Sequence, residues 1–390
     1  MCTPSPAYTD AVCKEIEERR DEIAQTLDVN TLYIGGGTPS VLPLDVLSRI
    51  VHTLEAAVTR PGRGYTAEPF ALRASSRLAC GEPPVHEATG GHRFGRHTPS
   101  GAGDSSWEEF TVEVNPEDIV EKGEEYVRGL LALGVNRISM GIQSFDDGIL
   151  KWMNRRHDSA TAVEAFRILR RCGVGNISID LIFGLPQLSE ELWSGTLGRA
   201  LELEPEHISA YQLSIEEESA LEKLIAQGKF TEAADEQCRR QYDILCQRLG
   251  EAGYHHYEIS NFALPGREAV HNSAYWRRVP YVGLGPGAHS LSASSVRSWN
   301  SETLIGYSRE EELLTPEDIR VERIMLPLRT DVGLLESELR SLAGDQVVDS
   351  LLAEGALVRI PANLPERSEG HIRIPEDHFF TSDDIIRDLI

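Results

Sequence analysis

The stretch that decides the fold is Leu32-Tyr33-Ile34-Gly35-Gly36-Gly37-Thr38-Pro39. Three apolar residues that read as a buried strand run straight into three glycines, and a helical pattern follows. Glycines lack Cβ atoms, so backbone N–H groups approach a ligand closely and the chain takes any φ the turn needs. In an α/β protein this is the carboxyl end of a strand, where ligands bind. A Gly-rich turn is also an ordinary strand-to-helix connection. The polar residues that end the later strands decide between the two.

Outward from this stretch, strand and helix patterns alternate. Strand patterns at 110–114, 137–142, 177–183 and 207–213 are followed by helical periodicity at 117–133, 160–172, 190–203 and 236–249, and a last strand falls at 257–259. Helices are expected at 8–26 and 44–58. In the second, Val46, Leu47, Ile50, Val51 and Leu54 repeat along one face. Short connections between alternating elements mean a parallel sheet of βαβ units. The number of repeats suits an α/β fold with a TIM-like (β/α) barrel or partial barrel, over residues 1–299, better than a short open sheet. After residue 300 the rhythm changes. Thr315-Pro316-Glu317-Asp318 opens a helix running to about residue 325, with Thr315 as N-cap and Pro316 at the first helical position. Segments 357–360 and 371–374 read as a hairpin, so residues 300–390 are expected to form a small C-terminal α+β, winged-helix-like domain.

Residues 60–106 are rich in Gly, Pro, Arg, Ser and His and show no periodicity. Such a composition buries no core and reads as a disordered surface insertion. His86, His92 and His97 within it read as solvated rather than metal-bound. With 62 acidic against 38 basic residues and a net charge of -24, the chain is a poor partner for nucleic acid or an anionic membrane. No apolar run reaches spanning length and no signal-peptide pattern appears, so a cytoplasmic protein is expected. Cys2, Cys13, Cys80, Cys172, Cys238 and Cys246 form neither a disulfide framework nor a zinc site. No metal ligand and no catalytic residue is assigned.

Polar residues recur where strands end: Glu113 and Asn115-Pro116, then Gln143-Ser144, then Asn154-Arg155-Arg156-His157, then Asp180 inside an apolar strand. A carboxylate in such a strand costs several kcal/mol unless it is hydrogen-bonded or paired. Either Asp180 forms an internal ion pair, for instance with Arg155, or the set faces a polar ligand with cationic or hydroxyl groups. His271-Asn272-x-x-Tyr275-Trp276 combines an imidazole that can ligate haem iron with aromatics that pack on a porphyrin, or is a loop covering the barrel. His256 and His289 are rival ligands.

Together, Gly35-Gly36-Gly37-Thr38-Pro39, Glu113-x-Asn115-Pro116, the run from Arg137 to Phe145, and Asp180-Leu181-Ile182-Phe183-Gly184-Leu185-Pro186 resemble the radical S-adenosylmethionine (SAM) enzymes, and among them the oxygen-independent coproporphyrinogen III oxidase-like group. The His271 motif and Tyr281-x-Gly283-Leu284-Gly285-Pro286-Gly287-Ala288-His289 resemble that group's haem chaperone branch. The resemblance implies SAM across the mouth of a partial barrel. Gly36, Gly37 and Thr38 then lie against its methionine end, Glu113 and Asp180 on its amino group or ribose hydroxyls, and Gln143 and Arg155 supply further contacts. It implies haem on His271 and delivery to acceptor proteins such as respiratory enzymes. Oxidative decarboxylation of coproporphyrinogen III, or a related radical reaction, is the alternative.

The family also implies a 4Fe–4S cluster on C-x-x-x-C-x-x-C, after a strand ahead of the first helix. These 390 residues contain no such motif. Either the sequence is truncated, with the first strand and the cysteines upstream, or it is a diverged member; on both readings the chain as written is expected not to cleave SAM reductively. One consequence of the composition is separately testable. Replacing residues 60–106 by a short Gly/Ser linker leaves the melting temperature within a few degrees, because the loop-closure term changes by only about 1 kcal/mol; a large drop in a thermal melt would show that the segment packs.

Overall fold

A computed structural model describes residues 6–26, 30–58, 107–216, 219–360 and 370–390, so the segment read as an insertion lies outside the described residues. Seven strands make the main sheet: β1 (Thr31–Ile34), β2 (Glu109–Val114), β3 (Arg137–Gln143), β4 (Ile177–Phe183), β5 (His207–Gln212), β6 (His255–Glu258) and β7 (Asn261–Ala263). Their order is β1-β2-β3-β4-β5-β7-β6. The first five run parallel, as the βαβ pattern requires, and β7 and β6 close the row antiparallel. The result is a partial barrel.

Alternation along each strand divides its residues between two environments. Phe110, Val112 and Val114, Ile138, Met140 and Ile142, Ile177, Ile179 and Leu181, and Ile208 and Ala210 are all fully buried. They share one core with the apolar faces of helices such as Leu44–Val58, Pro116–Ala132, Ser159–Arg171 and Glu190–Glu202. The other phase carries Tyr33, Glu109, Thr111, Glu113, Arg137, Ser139, Ser178, Asp180, His207, Ser209 and Tyr211, and these line a cavity inside the barrel. The barrel therefore has an apolar outside and a polar inside.

Two expected elements differ in form. The helix expected at 8–26 is two, Pro6–Glu18 and Arg20–Gln25. The break falls at Arg19, whose buried side chain is held by Glu15 at 3.0 Å, Glu22 at 2.8 Å and the Gly283 carbonyl at 2.6 Å. The single strand expected at 257–259 is the hairpin β6–β7. Its turn is closed by the buried Glu258 carboxylate, which accepts the Ser260 N–H at 3.0 Å and an N–H of the Asn261 amide.

A second antiparallel sheet, without a signal in the sequence reading, comprises β8 (His289–Leu291), β9 (Val296–Asn300) and β10 (Arg309–Leu313), so it runs across residue 300. Glu15 ties this region to the first helix by accepting from the Gly285 N–H at 2.7 Å, the Asn300 amide at 2.8 Å and the Tyr307 hydroxyl at 2.7 Å. The C-terminal module is α+β. The expected pair β12 (Val358–Ile360) and β13 (His371–Arg373) is antiparallel, and β11 (Leu334–Leu335) adds to β13. Its helix Pro316–Leu328 starts on a capping box, with the Thr315 hydroxyl accepting the Asp318 N–H at 3.2 Å and the Asp318 carboxylate accepting the Thr315 N–H at 2.9 Å. Among the described residues no helix is long and apolar enough to cross a membrane.

Candidate ligand-binding site in the barrel

The glycine turn after β1 is held by Glu113 of β2. One carboxylate oxygen accepts the Tyr33 hydroxyl at 2.6 Å and the other accepts the Gly36 N–H at 3.0 Å. A Cβ at Gly35 would stand 2.3 Å from a Tyr33 ring carbon and 2.7 Å from the Glu113 carboxylate, so a side chain here would push the Tyr33–Glu113 pair aside. Gly36 and Gly37 have φ of 77° and 82°, with no atom within 4 Å of where a Cβ would be, which leaves open space above the turn. Next to it, the Asn115 amide donates to the Thr38 hydroxyl at 3.4 Å. Gln143 has a φ of 69°, an uncommon conformation for a residue other than glycine, at a bulge in the β3–β4 pairing. Its amide nitrogen sits where a Cβ on Gly141 would be 2.7 Å away, with the Asn115 amide oxygen 3.6 Å from the same point. Thr38, Asn115 and Gln143 thus form an arc at the carboxyl ends of β1, β2 and β3.

Inside the mouth, Asp180 is pushed up to about 7 by burial and by the charge of Glu113, against hydrogen bonds from Ser209 and Ser139. The Ser139 hydroxyl donates to it at 3.3 Å. The internal ion pair with Arg155 does not form. Asp180 is met by serines, and the Arg155 guanidinium, drawn down by burial, feels Asp180 and Glu117 only as nearby charges. Two acidic side chains with one cation at the rim suit a ligand carrying positive charge and hydroxyl groups, with a carboxylate toward Arg155.

His271 stands at the other end of β1. Its Nδ1 is 2.8 Å from the Thr31 hydroxyl and its Nε2 is 2.9 Å from the Tyr275 hydroxyl. Its ring stacks on Tyr33 at 5.0 Å and meets Tyr275 edge-on at 5.0 Å. Burial lowers its pKa, so the imidazole is neutral near pH 7. It borders an apolar groove formed by Leu32, Leu54, Trp107, Ala274, Tyr275, Tyr281, Val282 and Leu284. Of the rival histidines, His256 is buried, stacked on Phe262 at 4.0 Å and lowered to about 4 by desolvation, which makes it part of the core. His289 is exposed on β8 beside Trp299.

The structure thus brings Gly36, Gly37, Thr38, Glu113, Gln143 and Asp180 to one mouth with Arg155 within electrostatic reach, and places His271 behind Tyr33, stacked on the ring whose hydroxyl Glu113 accepts. The sequence reading missed Tyr33, Glu109, Arg137, His207 and Tyr211. The signal was present as polar residues at every second position of otherwise apolar strands, Glu109-x-Thr111-x-Glu113 and His207-x-Ser209-x-Tyr211 being the clearest.

With this geometry in view, the relatives define the class. The sequence profile of the radical SAM superfamily matches residues 4–198. The haem chaperone HemW of Lactococcus lactis is 29% identical over 340 residues, which cover 85% of this chain and 76% of that one. HemW of Bacillus subtilis is 29% identical over 341 residues, 85% of this chain and 77% of that one. Among solved structures, the radical SAM coproporphyrinogen III oxidase HemN of Escherichia coli superposes with a TM-score of 0.67 at 20% identity, covering 98% of this chain and 82% of that one, a likeness of fold. The chain belongs to the radical SAM superfamily. Within it, the chain falls in the HemW branch.

The superfamily implies SAM and a 4Fe–4S cluster. For SAM the residues fit: a glycine cradle that a Cβ would fill, two acidic groups, and a cation at the rim. For the cluster they do not. No C-x-x-x-C-x-x-C occurs in these 390 residues, and among the described residues no three His, Cys, Asp or Glu are grouped to hold a metal. What the described residues support is binding.

The electrostatics give a pH test. A carboxyl whose folded pKa is raised holds its proton more tightly folded than unfolded. Between about pH 4, the unfolded value, and about pH 7, stability therefore falls as pH rises. Asp180→Asn flattens that decline in denaturant melts across this window. By carbon-detected NMR the Asp180 carboxyl titrates near pH 7, and in Glu113→Gln its midpoint moves down; a wild-type midpoint near 4 would contradict this electrostatic picture.

Proposed function

We propose that this protein is a haem chaperone of the radical SAM type, which binds haem and passes it to acceptor proteins, respiratory enzymes among them. The observation that carries the reading is His271: a neutral imidazole held between two hydroxyls, 2.8 Å from Thr31 and 2.9 Å from Tyr275, at the edge of an apolar groove. A neutral imidazole is the form that ligates haem iron. Tyr275 is 40% exposed, so its hydroxyl can leave Nε2 free for iron at the cost of one hydrogen bond of about 1 kcal/mol. The apolar and aromatic lining suits a porphyrin face. The HemW relatives, named as haem chaperones, support the same reading over most of the chain.

SAM is proposed at the barrel mouth, with Gly36, Gly37 and Thr38 on its methionine end, Glu113 and Asp180 on its amino group or ribose, and Gln143 and Arg155 completing the contacts. The chain's own residues would orient SAM and exclude water. Reductive cleavage would also need the cluster, whose ligands are not among these residues.

Haem titration tests the main reading. Wild type gives a shifted Soret band. His271→Ala loses the shift while its circular dichroism stays unchanged, because the side chain is tied only to two hydroxyls and a ring stack. An unaltered Soret shift in that variant would move the ligand elsewhere, with exposed His289 the next candidate.

A further inference from the structure

Arg137 opens β3 and points into the barrel, with 3% of its surface exposed. Its Nη1 donates to the Asn176 side-chain oxygen at 3.2 Å and to the Arg267 carbonyl at 3.2 Å. Among the described residues it makes no ion pair and its Nε and Nη2 make no hydrogen bond, while its charge reaches Asp180 and His207 in the same cavity. A guanidinium buried in this way is costly unless an anion meets it, and Asp180 answers it only through space, without a hydrogen bond. Asn272, the second residue of the His271 motif, lines the same cavity, and its amide likewise has no hydrogen bond among the described residues.

Several of the cavity's other polar groups are already engaged. Glu109 accepts the N–H groups of Val270 at 2.9 Å and His271 at 3.1 Å, which fixes the helix carrying the motif. Glu113 holds Tyr33 and Gly36. His207 sits between the Ser178 and Tyr257 hydroxyls, each at 2.8 Å. Asp180, with its raised pKa, carries only part of its charge near neutral pH, which lessens the repulsion an incoming anion would meet. A planar fork of unused N–H groups with an amide beside it matches a carboxylate, which accepts two parallel hydrogen bonds.

We propose that the floor of the barrel interior is a carboxylate-binding site, gripped by the Arg137 fork and the Asn272 amide and distinct from the SAM site at the mouth. The carboxylate belongs either to a free organic acid or to a porphyrin propionate; only the second source rests on the haem reading, with Asn272 adjoining His271 in the chain. Two arms separate them. In the first, the protein is titrated with haem and with haem dimethyl ester, whose propionates are blocked. In the second, thermal melts are recorded with acetate and with succinate against chloride at equal ionic strength.

If a propionate is bound, the ester binds roughly tenfold more weakly than haem, and Asn272→Ala and Arg137→Lys remove the difference. If a free acid is bound, acetate or succinate raises the melting temperature of wild type and not of the two variants. Arg137→Lys keeps the charge and loses the fork; should it fail to fold, the less buried Asn272→Ala decides alone. Equal binding of haem and ester together with no acid-dependent stabilisation, or effects that persist in Asn272→Ala, would overturn the proposal and leave the cavity filled by water only. Haem that binds with no preference over its ester leaves the haem reading standing while this one fails. No haem binding at all sinks the haem reading, and the acid arm still decides this one.

Discussion

Glu113 is the constraint on which the site depends. Its carboxylate spans β1 and the glycine turn, taking the Tyr33 hydroxyl on one oxygen and the Gly36 N–H on the other. Hydrogen bonds to a charged acceptor are worth about 1.5–3 kcal/mol each, enough to fix a turn with no side chains of its own. The same carboxylate raises Asp180 by its charge and anchors the ring on which His271 stacks. A substitution at Glu113 would thus be felt at the turn, at the second acidic group and at the histidine motif.

The architecture follows from the strands' two phases. The apolar phase glues the sheet to its helices and supplies the rigidity, while the polar phase is left facing inward where a partial barrel has room for a ligand. Near β1 this alternation makes two cavities. Tyr33 faces the interior and Leu32 the apolar groove. The short helix Val270–Trp276, fixed by Glu109, divides its motif in the same way, with His271 and Tyr275 on the groove and Asn272 on the interior. A motif that reads as one unit in the sequence serves two compartments.

Much of this was legible from residue order. The βαβ rhythm and the apolar strands identify a parallel sheet, and glycines and polar residues at strand ends mark its mouth, because both depend on local pattern. Three features were not legible. The antiparallel hairpin β6–β7 depends on Glu258 accepting from its own turn, a contact no periodicity announces. The sheet of β8, β9 and β10 is short and polar, and its attachment rests on Glu15, far away in the chain. The inward role of Arg137 and His207 needs the strands to be curled, since in a flat sheet covered on both faces the same residues would read as defects.

Haem transfer tests the chaperone function most directly. Protein loaded with haem is mixed with a haem-free cytochrome, and the donor and acceptor Soret bands are followed in stopped flow. A chaperone predicts that transfer accelerates with acceptor concentration, well beyond the rate at which haem dissociates into an inert scavenger, because the groove hands its cargo over in a complex. Transfer at the scavenger rate, independent of acceptor concentration, would contradict a chaperone and leave a protein that only binds haem.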